Sequence, residues 1–181
     1  MSEPTALVIL TDGVEELEAV APIDCLRRAS VQTTVASATQ ALQVEGRNGI
    51  HLVADTLLDA CFGHDYDLLV IPGGPGHATM AADSRILQML QQQDQAGRLI
   101  GSICAGPVVL DQAGVLEGKA YTSYPGTSEQ LPDRRPDEEV VRDGNIITSQ
   151  GAGTATAFAL ALVEALCGED KAREISRSIC A

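Results

Sequence analysis

The sequence predicts an α/β fold in which a mostly parallel, doubly wound sheet lies between two layers of helices. Short, continuous apolar runs recur along the chain and stop at turns that contain glycine, proline or aspartate, which is typical of strands buried on both faces. Segments with apolar residues at three- and four-residue spacing follow these runs and predict amphipathic helices. This alternation is the pattern of parallel strands joined by right-handed crossovers.

The first half of the chain alternates strand and helix signals. An apolar run that stops at Thr11-Asp12-Gly13 predicts a central strand, and helical spacing follows it. A second strand, a hairpin around Gly46-Arg47-Asn48-Gly49 and a short helical turn come next. The third buried strand ends at Pro72-Gly73-Gly74-Pro75-Gly76. The predicted strands are residues 6–10, 31–38 and 67–71 with the paired segments 43–44 and 50–54, and the predicted helices are 14–29 and the turn 57–60.

The second half continues the pattern. Ser84 is the predicted N-cap of a helix that leads to the strand before Cys104, and a further helix follows this cysteine. Residues 118–123 return briefly toward the sheet before a polar loop that contains several prolines. A hairpin turns at Asp143-Gly144-Asn145, and Gly168 separates two final helices. The predicted strands are residues 99–103, 139–142 and 146–149, and the predicted helices are 84–95, 105–113, 154–166 and 170–179.

Composition limits the class of protein. At 181 residues we expect a single domain over residues 1–181, with a core large enough to fold without disulfides or metal. A net charge of -13, no tryptophan, two phenylalanines and three tyrosines argue against direct nucleic-acid binding. No leader pattern opens the sequence, and no apolar run approaches the roughly 20 residues of a membrane span. We therefore expect a cytoplasmic protein that binds neither nucleic acid nor membrane.

The cysteine pattern indicates a reducing compartment. The number of cysteines is odd and no C-x-x-C pair occurs, so we expect neither a disulfide framework nor a zinc site. The cysteines are Cys25, Cys61, Cys104, Cys167 and Cys180.

Cys104 is the candidate nucleophile because it lies where a buried strand gives way to a helix. Ser102 and Gly106 are small neighbours at minus two and plus two, which is the steric pattern of the Gly-x-Ser-x-Gly nucleophile elbow with cysteine in place of serine. A helix N-terminus behind the sulfur favours the thiolate, so we expect a lowered pKa for this thiol. The alternative is a small buried hydrophobic residue, which is what most intracellular cysteines are.

Three loops should meet at the carboxyl ends of the central strands. They contain residues 12–18, Gly73-Gly74 and Cys104-Ala105, and together they supply a carboxylate, backbone donors and a thiol. Attack on a carbonyl group needs these three parts. Glu15, Glu16 and Glu18 all lie near the predicted helix start, and spacing does not choose among them.

Four motifs resemble those of the ThiJ/PfpI superfamily, and within it the branch of DJ-1 and bacterial YajL. The similarity covers nearly the whole chain in order. The motifs are residues 13–18 (GVEELE), 72–74 (PGG), 102–107 (SICAGP) and 148–154 (TSQGAGT).

The resemblance implies a flavodoxin-like α/β/α sandwich and a homodimer. It implies that Cys104 is the nucleophile and that Glu18 is a protonated carboxyl that hydrogen-bonds the sulfur. It also implies that Gly73, Gly74 and Ala105 provide the backbone around an oxyanion pocket. The activities of the family are glyoxalase activity on methylglyoxal and, with dispute, deglycation of early dicarbonyl adducts, alongside a chaperone and oxidative-stress role.

One departure from the family concerns the general base. DJ-1 has a histidine beside the cysteine, in the stretch before a proline, where this chain has Tyr124. A tyrosine with a pKa near 10 is a hydrogen-bond donor or a pocket wall rather than a base at neutral pH. His77 is the nearest imidazole in sequence, but a solvated loop histidine is the simpler interpretation. The sequence assigns no imidazole to the site.

Two hypotheses of function follow. The first is an enzyme in which Cys104 attacks a small 2-oxoaldehyde or a glycated adduct without a cofactor or metal. The second is a redox-sensing stress protein or chaperone that uses oxidation of Cys104 and has little turnover. Gly151-x-Gly153 superficially suggests a dinucleotide motif, but no second strand with an acidic residue follows it.

Overall fold

The computed structural model describes residues 3–181 and contains nine strands and six α-helices within this range. The strands are β1 (Thr5–Leu10), β2 (Gln32–Ser37), β3 (Gln43–Glu45), β4 (His51–Val53), β5 (Thr56–Leu57), β6 (Leu68–Ile71), β7 (Leu99–Ile103), β8 (Val140–Asp143) and β9 (Ile146–Ser149). The helices are α1 (Glu16–Arg28), α2 (His77–Ala82), α3 (Ser84–Gln95), α4 (Pro107–Gln112), α5 (Ala155–Cys167) and α6 (Glu169–Ile179).

Seven strands form one sheet in the order β5-β2-β1-β6-β7-β9-β8. The neighbouring pairs from β5 to β9 are parallel, while the edge strand β8 runs antiparallel to β9. Strands β3 and β4 form a separate antiparallel hairpin. The order reverses direction between β1 and β6, which is where ligands bind in open α/β sheets.

Helices cover both faces of the sheet. Because side chains alternate along every strand, each strand contributes residues to both faces. Ala6, Val8 and Leu10 of β1 pack in a core with α1, α5 and α6, whereas Leu7 and Ile9 pack on the opposite face. That second core includes buried residues of α2, α3 and α4. The arrangement is the predicted three-layer α/β/α sandwich of the flavodoxin-like type.

Most predicted elements are present within about two residues of the expected bounds, and four details differ. Strand β5 and helix α2 were not predicted because two and six residues are too short to show a period. Residues 118–123 do not form a strand, since the N–H of Thr122 bonds to the Thr148 side chain at 2.9 Å instead of a backbone ladder. Asp83, not Ser84, caps α3 through the N–H of Arg85.

The carboxyl ends of β1, β6 and β7 lie side by side in the middle of the sheet. The loops after residues 10, 71 and 103 therefore converge, as predicted. Across residues 3–181, no helix has both the length and the apolar character to cross a membrane.

Candidate active site

Backbone hydrogen bonds join the converging loops directly. The N–H of Glu15 donates to the carbonyl of Gly73 at 3.1 Å, and the N–H of Gly76 donates to the carbonyl of Gly13 at 3.1 Å. The backbone N–H of Cys104 donates to the carbonyl of Ser149 at 2.9 Å. The loops that follow β1 and β6 thus form one continuous floor, and β9 anchors the cysteine beside it.

Cys104 adopts the strained turn that the sequence pattern predicts. Its φ of 64° lies in the left-handed region, which costs a residue with a side chain about 1–3 kcal/mol. A Cβ on Gly106 would approach the Oγ of Ser102 to 2.4 Å and the carbonyl oxygen of Ile71 to 2.6 Å. The position two residues after the cysteine therefore requires glycine, as in a nucleophile elbow.

Glu18 projects from the first turn of α1 to the sulfur. Its side chain is buried and lies beside Cys104, while Oε2 accepts the N–H of Gly73 at 3.0 Å. A Cβ on Gly73 would lie 2.6 Å from the Cβ of Cys104 and 2.7 Å from Oε2 of Glu18. Position 73 is a glycine because the Glu18 carboxyl, the Cys104 side chain and the backbone leave no room for a side chain there.

The two neighbouring glutamates have other partners. Oε1 of Glu16 accepts the backbone N–H of Asn48 at 2.8 Å and fixes the β3–β4 turn. Glu15 forms an ion pair with Arg47 at 3.3 Å. Of the three carboxylates that spacing could not separate, Glu18 is therefore the one beside the sulfur.

Two backbone donors face the sulfur. They are the N–H groups of Gly74 and Ala105, which lie close enough to Cys104 to lower the pKa of its thiol, although burial outweighs them. Gly74 has a φ of 90°, and a Cβ there would lie 2.4 Å from the carbonyl oxygen of Gly13. Gly73 also lies against Cys104, but its N–H is directed to Glu18 instead of the sulfur. The pocket beside the sulfur thus has two backbone donors and one carboxyl.

The electrostatics couple Glu18 to Cys104. Burial raises the pKa of Glu18 to about 7. Burial, followed by the negative charge of an ionised Glu18, raises the pKa of Cys104 to about 12. The expectation that the helix N-terminus lowers this pKa is wrong while Glu18 is ionised, since burial dominates and α4 begins only at Pro107. The pair releases its first proton near neutral pH and holds the second far above it.

A cleft of about 510 Å³ opens above the sulfur. Tyr124 lies on its wall with 51% of its surface exposed, and its backbone N–H donates to the carbonyl of Cys104 at 2.8 Å. Arg47 and His77 also line the cleft, although the sequence alone assigns neither a role. Arg47 arrives on a hairpin turn that carries no motif of its own. His77 has one sequence signal, its position directly after the glycine loop.

The cleft brings together a thiol, a buried carboxyl and backbone donors, which are the parts that nucleophilic attack on a carbonyl needs. Between residues 3 and 181, no group of three His, Cys, Asp or Glu side chains could hold a metal ion. A flavodoxin-like sheet with a cysteine elbow, a buried carboxyl and converging backbone donors defines a class of α/β proteins with a candidate cysteine nucleophile.

Comparison with known proteins places the chain within this class. Residues 4–165 match the model of the DJ-1/PfpI family, so the chain belongs to that family. The crystal structure of Drosophila melanogaster DJ-1beta superposes with a TM-score of 0.97 at 38% identity and covers 99% of both chains.

Two curated relatives extend the comparison. Glutathione-independent glyoxalase DJR-1.2 of Caenorhabditis elegans is 32% identical over 182 residues, which are 99% of this chain and 97% of the relative. DJ-1 homolog B of Arabidopsis thaliana is 42% identical over 178 residues, 97% of this chain. The chain spans only 41% of the length of that plant relative.

The raised pKa of Glu18 predicts a pH dependence of stability. The carboxyl ionises near pH 4.5 when unfolded, whereas the folded pair of Glu18 and Cys104 releases its first proton near pH 7, so the folded protein binds more protons in this window and its stability falls as pH rises through it. Relative to Glu18→Gln, the free energy of unfolding of the wild type should drop by up to about 3 kcal/mol across the window. Urea denaturation at several pH values measures this difference.

The matched control for this prediction is Glu129→Gln, at an exposed residue on the rim of the same cleft. A difference between wild type and Glu18→Gln that stays constant or grows over the same pH range would show that Glu18 is not held neutral by burial.

Proposed function

We propose that the protein is a cofactor-independent glyoxalase that uses Cys104 to convert methylglyoxal-type 2-oxoaldehydes, or their early adducts on amines and thiols, during stress protection. The observation that carries the proposal is the elbow position of Cys104, beside Glu18 and under the N–H groups of Gly74 and Ala105. The family membership and the glyoxalase name of the Caenorhabditis elegans relative support it.

The reactive form of the pair has its proton on Glu18 and its charge on sulfur. A thiolate at Cys104 would have three donors, the N–H groups of Gly74 and Ala105 and the Glu18 O–H. A carboxylate at Glu18 would have the Gly73 N–H and a thiol, which is a weak donor. The larger set of strong donors favours the thiolate.

The first step is addition. Sγ of Cys104 attacks the aldehyde carbon, the C–S bond forms and the carbonyl electron pair moves to oxygen. Glu18 gives its proton to this oxygen, which produces a hemithioacetal and leaves a carboxylate. A carboxylate with a pKa raised to about 7 is then suited to act as a general base.

Isomerisation and hydrolysis complete the cycle without an external oxidant. The proton on the former aldehyde carbon moves to the neighbouring keto carbon and the hydroxyl proton moves to the keto oxygen, so the first carbon is oxidised to a thioester and the second is reduced to an alcohol. Water then cleaves the thioester, which releases a 2-hydroxy acid and restores the thiol. The net reaction consumes the 2-oxoaldehyde and one water.

The substitution Cys104→Ser tests this proposal. The wild type should consume methylglyoxal and produce lactate, whereas Cys104→Ser should lose at least about 100-fold in kcat/KM because it lacks the nucleophile. Cys61→Ser is the matched control, since Cys61 is also buried but lines a different cavity. Equal rates for wild type and Cys104→Ser would rule out the mechanism.

A redox role is the second candidate function, and the same donors favour it. Gly74, Ala105 and Glu18 would also hydrogen-bond the oxygens of a sulfinate at Cys104, which would hold mild oxidation at that stage. In this case methylglyoxal turnover would be negligible, while suppression of client aggregation would depend on the oxidation state of Cys104.

We also propose a homodimer, as the resemblance to the family implies. Four exposed apolar side chains lie on α1 and around β4, namely Leu17, Val20, Ile50 and Val53. Val20 and Val53 line one groove, and the N–H of Ile50 bonds to the Glu16 carboxylate of α1 at 3.4 Å. An apolar patch of this kind marks a protein interface, and the occupant proposed is a second copy of the chain.

Charged substitutions in this patch should dissociate the dimer. In light scattering coupled to size-exclusion chromatography, the wild type should have the mass of two chains and Val53→Asp that of one, because burying an unpaired carboxylate is unfavourable. Phe62→Asp is the control, since Phe62 is an exposed apolar residue outside the patch. A single-chain mass for the wild type would contradict the assignment.

A further inference from the structure

His77 is a titratable group of the cleft that the mechanism above does not use. It is the first residue of α2 and lines the same cleft as Cys104. The carbonyl oxygen of Gly74 accepts two hydrogen bonds from it, one from its backbone N–H at 3.1 Å and one from Nδ1 at 2.9 Å. The imidazole is therefore anchored to the peptide that follows β6.

This contact determines the tautomer of the ring. A carbonyl oxygen can only accept, so Nδ1 carries the proton in the Nδ1–Gly74 bond. In the neutral imidazole the other nitrogen, Nε2, is then an acceptor. Gly74 is also the residue whose N–H faces the sulfur of Cys104. One residue thus connects the sulfur pocket to an imidazole with a basic nitrogen.

The other ionisable groups of the cleft are already engaged or unsuitable. Glu18 lies against Cys104, and Glu15 is paired with Arg47. Glu129 is exposed on the rim, and Tyr124 is a phenol, which is a poor base at neutral pH. His77 is the lining group whose free ring nitrogen can accept a proton and then donate it.

The isomerisation step requires such a group. Converting the hemithioacetal to a thioester moves one proton between the two carbons and a second proton between the two oxygens. Glu18 can serve the carbon proton because it touches the sulfur that carries the reacting carbon. The hydroxyl proton of the hemithioacetal lies on oxygen, not on carbon. A second proton carrier therefore allows the two proton transfers to occur independently.

We propose that His77 is a proton carrier of this reaction, an inference that rests on the proposed glyoxalase function. Nε2 accepts the proton of the hydroxyl on the former aldehyde carbon as the thioester carbonyl forms. The imidazolium then gives this proton to the oxygen of the neighbouring carbon, which becomes the alcohol. His77 ends the step neutral, so the transfer needs no further proton donor.

The substitution His77→Asn separates proton transfer from structure. The Asn amide nitrogen takes the place of Nδ1 and can still donate to the carbonyl of Gly74, but it cannot carry a proton. We expect kcat for methylglyoxal to fall about 100-fold, the typical contribution of a general acid–base group, with KM changed less than about threefold. Alkylation of Cys104 by iodoacetamide should keep its wild-type rate. His64→Asn is the control at an exposed histidine outside the cleft.

Rescue by free imidazole distinguishes proton transfer from a structural role of His77, because added imidazole can carry a proton but does not restore a structural contact. His77→Ala should lose turnover and regain at least about tenfold when free imidazole is added, because the cleft is open to solvent. Neither the His64→Asn control nor Cys104→Ser should respond to imidazole.

Three results would overturn the assignment of His77. These are a wild-type kcat in His77→Asn, a parallel loss of turnover and Cys104 alkylation in that variant, and a lack of imidazole rescue in His77→Ala. Equal rates for wild type and Cys104→Ser would instead reject the proposed function, and the proton carrier with it.

Discussion

The contact between the Glu18 carboxyl and the Cys104 sulfur is the constraint on which the rest of the site depends. It joins the first turn of α1 to the corner after β7, and backbone from β6 passes between them. No side chain fits at Gly73 because the carboxyl, the cysteine and the backbone are within contact distance there. The left-handed turn at Cys104 directs the sulfur to this carboxyl, at a cost that the surrounding packing offsets.

The same contact controls the charge of the site. Two buried acidic groups in contact cannot both ionise near neutral pH, because each charge is poorly solvated and repels the other. The pair therefore carries one negative charge, and the donors around it determine which atom holds this charge. The charged pair is buried, but it lies beside a cleft that a small carbonyl compound can enter. The pair is therefore both desolvated and accessible to substrate.

The sequence was sufficient to predict the architecture and the elbow position of Cys104, because both depend on local patterns. Alternating apolar runs and helical periods fix the parallel sheet, and small residues on both sides of the cysteine fix the elbow. The choice of Glu18 over Glu15 and Glu16 was not local, since it depends on how α1 packs against the β3–β4 turn and the cysteine corner. His77 needed the structure for the same reason, because the short helix α2 turns it into the cleft.

The most direct test of the account is a titration of the thiolate of Cys104 by ultraviolet absorbance, in the wild type and in Glu18→Gln and Glu18→Leu. If Glu18 keeps the shared proton, the wild-type thiolate should form with a midpoint near pH 7, where the pair releases its first proton, Gln should retain part of this effect through its N–H donor, and Leu should lose it. The account would be contradicted if the wild-type thiolate formed only well above the ordinary thiol pKa of 9.0 and Glu18→Gln lowered that midpoint.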